Sequence, residues 1–181
     1  MTPEAFTATV VPLRDKLYRF AVSLLRNGPE GEDVAQDVLL KLWAKRHTLA
    51  HVDNVEAWAI RATRNLAIDR MRHSSWRTGD VDALYDRAAA SVGADVRVEQ
   101  REAVAAVYAS MEALPEVQRA VLHLREVEQQ SYREIGEALQ LSEAQVKVYL
   151  HRARKHVRGA IDHSHAPGAE RRPPATQRNR P

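Results

Sequence analysis

Apolar residues recur at helical spacing along most of the chain, and the recurrence breaks where caps or prolines intervene. Phe6, Val10, Leu13, Leu17, Phe20 and Leu24 follow one another at intervals of three or four, the spacing of a helix with one buried face. Thr2 stands where a hydroxyl caps a first turn, and Pro3 where the missing N–H costs nothing. Pro12 falls inside the run, so the helix should kink or divide there. Asn27-Gly28-Pro29 should end it. A second helix is predicted over 31–46, with Val34, Ala35, Val38, Leu39 and Leu42 turned inward and Asp33, Gln36, Asp37 and Leu40 outward. A leucine ringed by acids suits a basic helical partner. On this helix alone, an ordinary solvated face with one stray apolar residue is the better explanation.

A polar loop over residues 47–54 leads to a third helix, capped by Asp53 or Asn54 and running to about His73. Trp58, Ala62 and Leu66 form one apolar stripe, and Ile60, Ala67 and Met71 another. This helix should be surrounded except where Arg61, Arg64, Asn65, Asp69, Arg70 and Arg72 emerge. Trp43 and Trp58 could stack on bases, but tryptophan at core spacing more often packs in the core. Residues 78–100 read as a flexible linker: acidic and alanine-rich, with Leu84 and Tyr85 the main candidates for an anchor. Helical spacing resumes with Val104, Val107 (or Tyr108) and Met111. Leu114-Pro115 then starts a helix carrying Val117, Val121, Leu122 and Leu124.

The most informative stretch is 131–157. Two capping boxes, Ser131-Tyr132-Arg133-Glu134 and Ser142-Glu143-Ala144-Gln145, stand eleven residues apart. In each, the serine hydroxyl can satisfy an orphan amide, and the Glu or Gln three residues on can reach back. The first launches a short helix with Tyr132, Ile135 and Leu139 on one face; Gly136 within it implies a close helix–helix approach. The second launches a longer helix with Val146, Leu150, Ala153 and Val157 on a narrow stripe. This is a helix-turn-helix, its second helix placed for a DNA major groove. Ala144, Val148, His151, Arg152 and Lys155 point away from the stripe, and Lys147, Arg154 and Arg158 flank them. Gln145, Val148, His151 and Arg152 lie near the N-terminal half and exposed centre, where side chains reach base edges; Val148 could meet a thymine methyl. The cations further along can neutralise phosphate.

Charge sharpens this reading. The net +3 divides into +3 over residues 1–77, −3 over 78–100, zero over 101–162 and +3 over the tail 163–181. Basic residues concentrate in 61–77 and 147–158, two patches that suit two contacts on one nucleic acid. The tail holds four of the eight prolines and is expected to be disordered; its His163 and His165 are not read as a metal site. With no cysteine there is neither a disulfide nor a Cys-based zinc site, which suits a reducing cytoplasm. The first residues form no signal peptide, and no apolar run approaches the ~18 residues of a membrane span, so a soluble cytoplasmic protein is expected. Glycine is scarce and alternating β-type runs are missing, which makes the expected fold all-α. There is no Gly-rich phosphate loop, GxSxG, HExxH or cysteine nucleophile, so no enzymatic activity and no cofactor are expected.

Leu17-Tyr18-Arg19-Phe20-Ala21, the run from Glu32-Asp33-Val34-Ala35-Gln36-Asp37 to Leu42-Trp43, and the run from Ala57-Trp58 to Ile68-Asp69 together resemble region two of extracytoplasmic-function sigma factors, the ECF subfamily of sigma-70-type RNA polymerase subunits. Leu114-Pro115-Glu116-Val117-Gln118-Arg119, Ser131-Tyr132-Arg133-Glu134-Ile135-Gly136 and the helix from Val146 to Arg154 resemble region four. The resemblance implies two small helical domains, 1–77 and 101–162, joined by the linker. It implies an alternative sigma factor that binds core RNA polymerase and directs transcription initiation at promoter DNA. Asp33, Gln36, Asp37 and Leu40 would then dock on the polymerase. Asp53 and Asn54 of the loop, with Arg61, Arg64 and Asn65, would capture the melted minus-10 strand. Gln145, Lys147, Val148, His151, Arg152, Arg154, Lys155 and Arg158 would face the minus-35 element. An anti-sigma factor is a further partner the resemblance allows, and no sequence feature identifies one.

Two positions depart from the family pattern. Gln140 stands at a turn that often carries glycine, and Gln129-Gln130 precedes Ser131 where Gly-Leu is usual. The alternative reading is a stand-alone helix-turn-helix regulator, which should carry a ligand or receiver domain in front. Residues 1–77 show no βα alternation to supply one.

Overall fold

The computed structural model describes residues 1–74 and 109–164. Most of the linker's flanks and all of residues 78–100, with Leu84 and Tyr85, lie outside the described residues, as do Val104, Val107, Tyr108 and the tail from His165. The elements are α1 (Pro3–Thr9), a 3-10 turn (Val11–Leu13), α2 (Arg14–Leu25), α3 (Gly28–Ala44), a second 3-10 turn (Thr48–His51), α4 (Val55–Ser74), α5 (Glu116–Glu126), α6 (Tyr132–Leu139) and α7 (Glu143–Ser164). No strand occurs among the described residues, and the fold is all-α.

Local chemistry sets the boundaries. The Thr2 hydroxyl accepts from the Ala5 amide at 3.2 Å, and α1 gives way at Val10 to the turn that contains Pro12. Helix α2 stops at Arg26, whose φ of 60° is left-handed. The next residue does not simply terminate structure. The Asn27 side chain accepts from the Glu30 amide at 3.0 Å, so α3 starts at Gly28, three residues before the predicted start, with Pro29 in its first turn. A Cβ on Gly31 would lie 2.5 Å from Val22 Cγ2, which is how closely α2 and α3 pack. Asn54, not Asp53, caps α4, accepting from the Ala57 amide at 2.9 Å.

Leu17, Phe20 and Leu24 of α2 are buried at the centre, against Val38 and Leu42 of α3 and Ala59, Ile60 and Ala67 of α4. Each large side chain buried here contributes roughly 1.5–3 kcal/mol. The same apolar cluster runs on into Leu114, Val121, Leu124, Ile135, Val146, Leu150 and Ala153. Helix α2 packs on α5 and α4 packs on α6, with the Phe20 and His123 rings 5.7 Å apart. The segments before and after the linker are therefore docked on each other in this structure.

Candidate promoter and polymerase interfaces

Both capping boxes form. Ser131 Oγ accepts from the Glu134 amide while Glu134 accepts from the Ser131 amide at 2.7 Å. Gln145 Oε1 likewise accepts from the Ser142 amide at 2.8 Å, and Ser142 Oγ accepts from the Gln145 amide at 3.2 Å. Hydrogen bonding to Ser131 lowers the Glu134 carboxyl pKa. The turn between the helices keeps a left-handed residue without glycine, since Gln140 has φ 58°. This geometry lets the Leu141 amide donate to Gly136 O at 2.8 Å. A Cβ on Gly136 would sit 2.6 Å from Leu141 O, so the glycine is required by the carbonyl of the turn, whereas the sequence suggested a neighbouring helix.

Val146, Leu150 and Ala153 of α7 are buried and Val157 is half-buried. That orientation leaves Ala144, Val148, His151, Arg152, Lys155 and Arg158 exposed. Val148 is 47% exposed, an apolar side chain among cations. Three flanking assignments are constrained. Gln145 spends its carbonyl oxygen on the cap. Lys147 lies 5.8 Å over the Tyr132 ring, which Arg125 also approaches at 5.1 Å. Arg154 reaches Glu126 Oε1 at 2.6 Å, so this cation already has an anionic partner on α5.

The α4 face is different. Arg64 makes a two-pronged pair with Glu116 at 2.7 and 2.6 Å. Arg61 donates to Glu137 O at 2.6 Å and more weakly to Ala138 O at 3.4 Å, carbonyls in the last turn of α6. Asn54 Nδ2 donates to Glu137 Oε2 at 3.0 Å. Of the five side chains assigned to the minus-10 strand, Asp53 and Asn65 remain exposed. Trp58 is half-buried beneath Lys45 at 5.8 Å. Trp43 is 39% exposed, edge-on to Phe6 and capped by Arg46, so neither tryptophan is fully in the core.

On α3, Leu40 is 66% exposed, the most open of the large apolar residues among the described ones. Asp33 and Gln36 are exposed beside it. Asp37 is half-buried and accepts from Arg70 of α4 at 2.8 Å; Asp33 lies 3.6 Å from the same guanidinium. The acids thus share one intramolecular cation, while the leucine faces outward.

Several important residues escaped sequence reasoning. Gln130 is only 7% exposed and donates from Nε2 to Glu56 Oε1 at 2.9 Å, while Glu56 also accepts from Lys16 at 2.6 Å. Gln129 has φ 58°, the conformation glycine usually fills. Arg19 holds Glu128 through two bonds of 2.9 and 2.8 Å, and His123 Nε2 lies 3.3 Å from the same carboxylate. Burial pushes the Glu128 carboxyl up, but hydrogen bonding and attraction to His123 and Arg19 outweigh it and hold it at about 2. Arg119 donates to Leu24 O at 3.0 Å and to the Glu112 and Leu114 carbonyls, and burial lowers its pKa. The one signal for these was the departure at 129–130, where a polar residue stands in an apolar slot.

No helix among the described residues is long and apolar enough to cross a membrane. Residues 10–77 match sigma-70 region 2, and residues 105–157 match sigma-70, region 4. SigX of Bacillus subtilis (strain 168), an ECF RNA polymerase sigma factor, is 28% identical over 169 residues, covering 86% of this chain and 82% of SigX. SigW of the same organism is 27% identical over 164 residues, covering 86% of this chain and 88% of SigW. The fold is similar to that of the sigma factor RpoE from Bartonella quintana, solved in complex with the anti-sigma factor NepR. The TM-score is 0.65 at 19% identity, over 88% of this chain and 98% of that one. CnrH, solved with the cytosolic domain of CnrY, gives a TM-score of 0.64 at 23% identity, over 90% of each chain. With two sigma-70 regions in order and ECF relatives spanning both, the chain belongs to the ECF sigma factors, which bind core RNA polymerase and direct promoter-specific transcription initiation.

Proposed function

We propose that this sigma factor divides its work among three surfaces, within two domains of residues 1–77 and 101–162. The α3 face with Leu40, Asp33, Gln36 and Asp37 docks on core polymerase, an exposed leucine supplying apolar area and the acids selecting a basic partner. The α4 face with Arg61, Arg64, Asn65 and Asn54, together with Asp53, holds the melted minus-10 strand, where unstacked bases can be read in protein pockets. The exposed face of α7 enters the minus-35 major groove. The protein works in the cytoplasm without cofactor or catalytic chemistry of its own. An anti-sigma factor is a further partner, by similarity to the RpoE–NepR complex.

The observation that carries this reading is α7. Its apolar stripe is buried, both capping boxes are made, and Val148, His151, Arg152 and Lys155 face outward together. A stand-alone regulator would need none of the region 2 match over residues 10–77. The test is run-off transcription with core polymerase on a promoter library, paired with core pull-down by Leu40→Asp. This substitution is cleaner than Asp37→Arg, which would also set a cation against Arg70. Leu40→Asp should reduce core binding at least tenfold, about 1.4 kcal/mol, with an unchanged circular dichroism spectrum. Undiminished pull-down would remove α3 as the docking face.

A further inference from the structure

Each polar member of the α3 docking face is held by a neighbour. Asp33, Asp37 and Leu40 follow one another at i, i+4 and i+7, along one stripe of the helix. Two aspartates one turn apart repel each other. Here one guanidinium stands between them. Arg70 of α4 donates from Nη2 to Asp37 Oδ2 at 2.8 Å, and its Nη1 lies 3.6 Å from Asp33 Oδ2. A planar fork can serve two acids in a fixed geometry, which a compact ammonium cannot. Gln36 is tied in its turn: it donates to Glu32, which Arg14 of α2 holds at 2.9 Å. We propose that Arg70 is a positioning residue for polymerase docking, holding Asp33 and Asp37 as one fixed anionic pair beside Leu40. This rests on the reading of α3 given above. It assigns one cation of the basic stretch 61–77 to the polymerase face and not to DNA.

Arg70 lies beneath the acids. Its side chain is 30% exposed, against 65% for Asp33 and 45% for Asp37, so its charge does not stand in front of theirs. Both contacts use Oδ2, and among the described residues neither Oδ1 accepts a bond from the chain. Each carboxylate thus keeps an oxygen for a cation arriving from outside. Side chains ordered in advance need no further ordering when the partner arrives. The more open Arg14–Glu32 pair is better screened by solvent, so the effect on docking should centre on Arg70. Its two properties act on different rate constants. The charge of Arg70 offsets the acids at long range and slows approach of a basic partner, whereas its fork orders them at contact and slows departure.

The chain has no cysteine, so Thr9→Cys, at an exposed position of α1, can carry a dye for stopped-flow binding of the full-length protein to core RNA polymerase. In that background Arg70→Met keeps the apolar stem and removes both charge and fork, while Arg70→Lys keeps the charge and removes the fork. Arg70→Met should associate roughly two- to fourfold faster at low salt and dissociate roughly three- to tenfold faster. Arg70→Lys should associate like the wild type and also dissociate faster. Both should keep the wild-type circular dichroism spectrum. Dissociation unchanged or slowed in either variant would mean that Arg70 only masks charge. Faster dissociation of Arg70→Met without faster association would mean a general loosening of the helices. Either result overturns the positioning role. Failure of the underlying reading looks different: Leu40→Asp would then bind core polymerase as the wild type does, whatever the Arg70 variants do.

Discussion

The two promoter-facing surfaces use the same chemistry and differ in what lies opposite. On α4, Arg61 and Arg64 face acids and open carbonyls of α5 and α6 and are turned inward. On α7, Arg152, Lys155 and Arg158 are exposed to solvent, and among the described residues Arg154 alone of that face's arginines pairs with a carboxylate, that of Glu126. A basic residue on a helix is therefore no measure of availability to DNA. Availability depends on whether another part of the chain brings an anion within reach.

The contrast is broken most forcefully by removing the support of the cover. Leu150 is 1% exposed beneath α5 and α6, and Leu150→Ala should cost roughly 2–5 kcal/mol through lost contacts and a cavity. If α5–α7 cover α4 as one cooperative unit with it, the wild type should melt in a single calorimetric transition. The variant should split it, the C-terminal segment melting first. Two resolved transitions in the wild type would show that the interface couples the segments too weakly for them to unfold together.

A finer test compares positions within the open face. Arg152 lies near the centre of α7 and Arg158 further along, where phosphate is nearer. Arg152→Ala in the holoenzyme should change which minus-35 sequences are preferred, at roughly 1–3 kcal/mol for particular base pairs. Arg158→Ala should weaken all sequences about equally and reduce the salt dependence by about one unit of slope. The same uniform loss from both, across a promoter library, would mean that base-reading and phosphate-contacting positions have been misassigned.

How much of this was legible beforehand follows from the range of the interactions. The break at Pro12, the caps at Thr2, Ser131 and Ser142 and the stripe on α7 are local, set by neighbours within about one turn. Asn27 was legible too, but its cap was read as the end of one helix and not as the start of the next. What periodicity cannot carry is the pairing of residues 52 or 109 positions apart, as in Arg64–Glu116 and Arg19–Glu128. Exposed arginine and glutamate look alike whether they meet water or each other. Gln130 was visible as an oddity, and only the neighbouring Glu56 gives it a purpose.

The smallest effect expected is also the most selective for the contact between the two segments. Glu128 has its carboxyl held at about 2, against an ordinary 4.5, by His123 and Arg19 despite burial. A depressed pKa means that the folded, docked chain prefers the carboxylate. The stabilisation is fully present above about pH 4.5 and drains away as pH falls toward 2. Arg19 is 47% exposed, so solvent screening reduces the worth of the pair to on the order of 1 kcal/mol. Glu128→Gln should therefore loosen the α2–α5 contact at neutral pH by about that amount, read as a lower melting midpoint before any acid is added. Between pH 5 and 3 the melting midpoint of the wild type should fall more steeply than that of the variant, because only the wild type has this carboxylate to protonate. The α7 face should not share this difference, since Glu128 lies outside it and the exposed Val148, His151 and Arg152 make no contact with that carboxylate. Superimposable acid titrations of wild type and Glu128→Gln would show that the Arg19–Glu128 ion pair does not contribute to holding the two segments together.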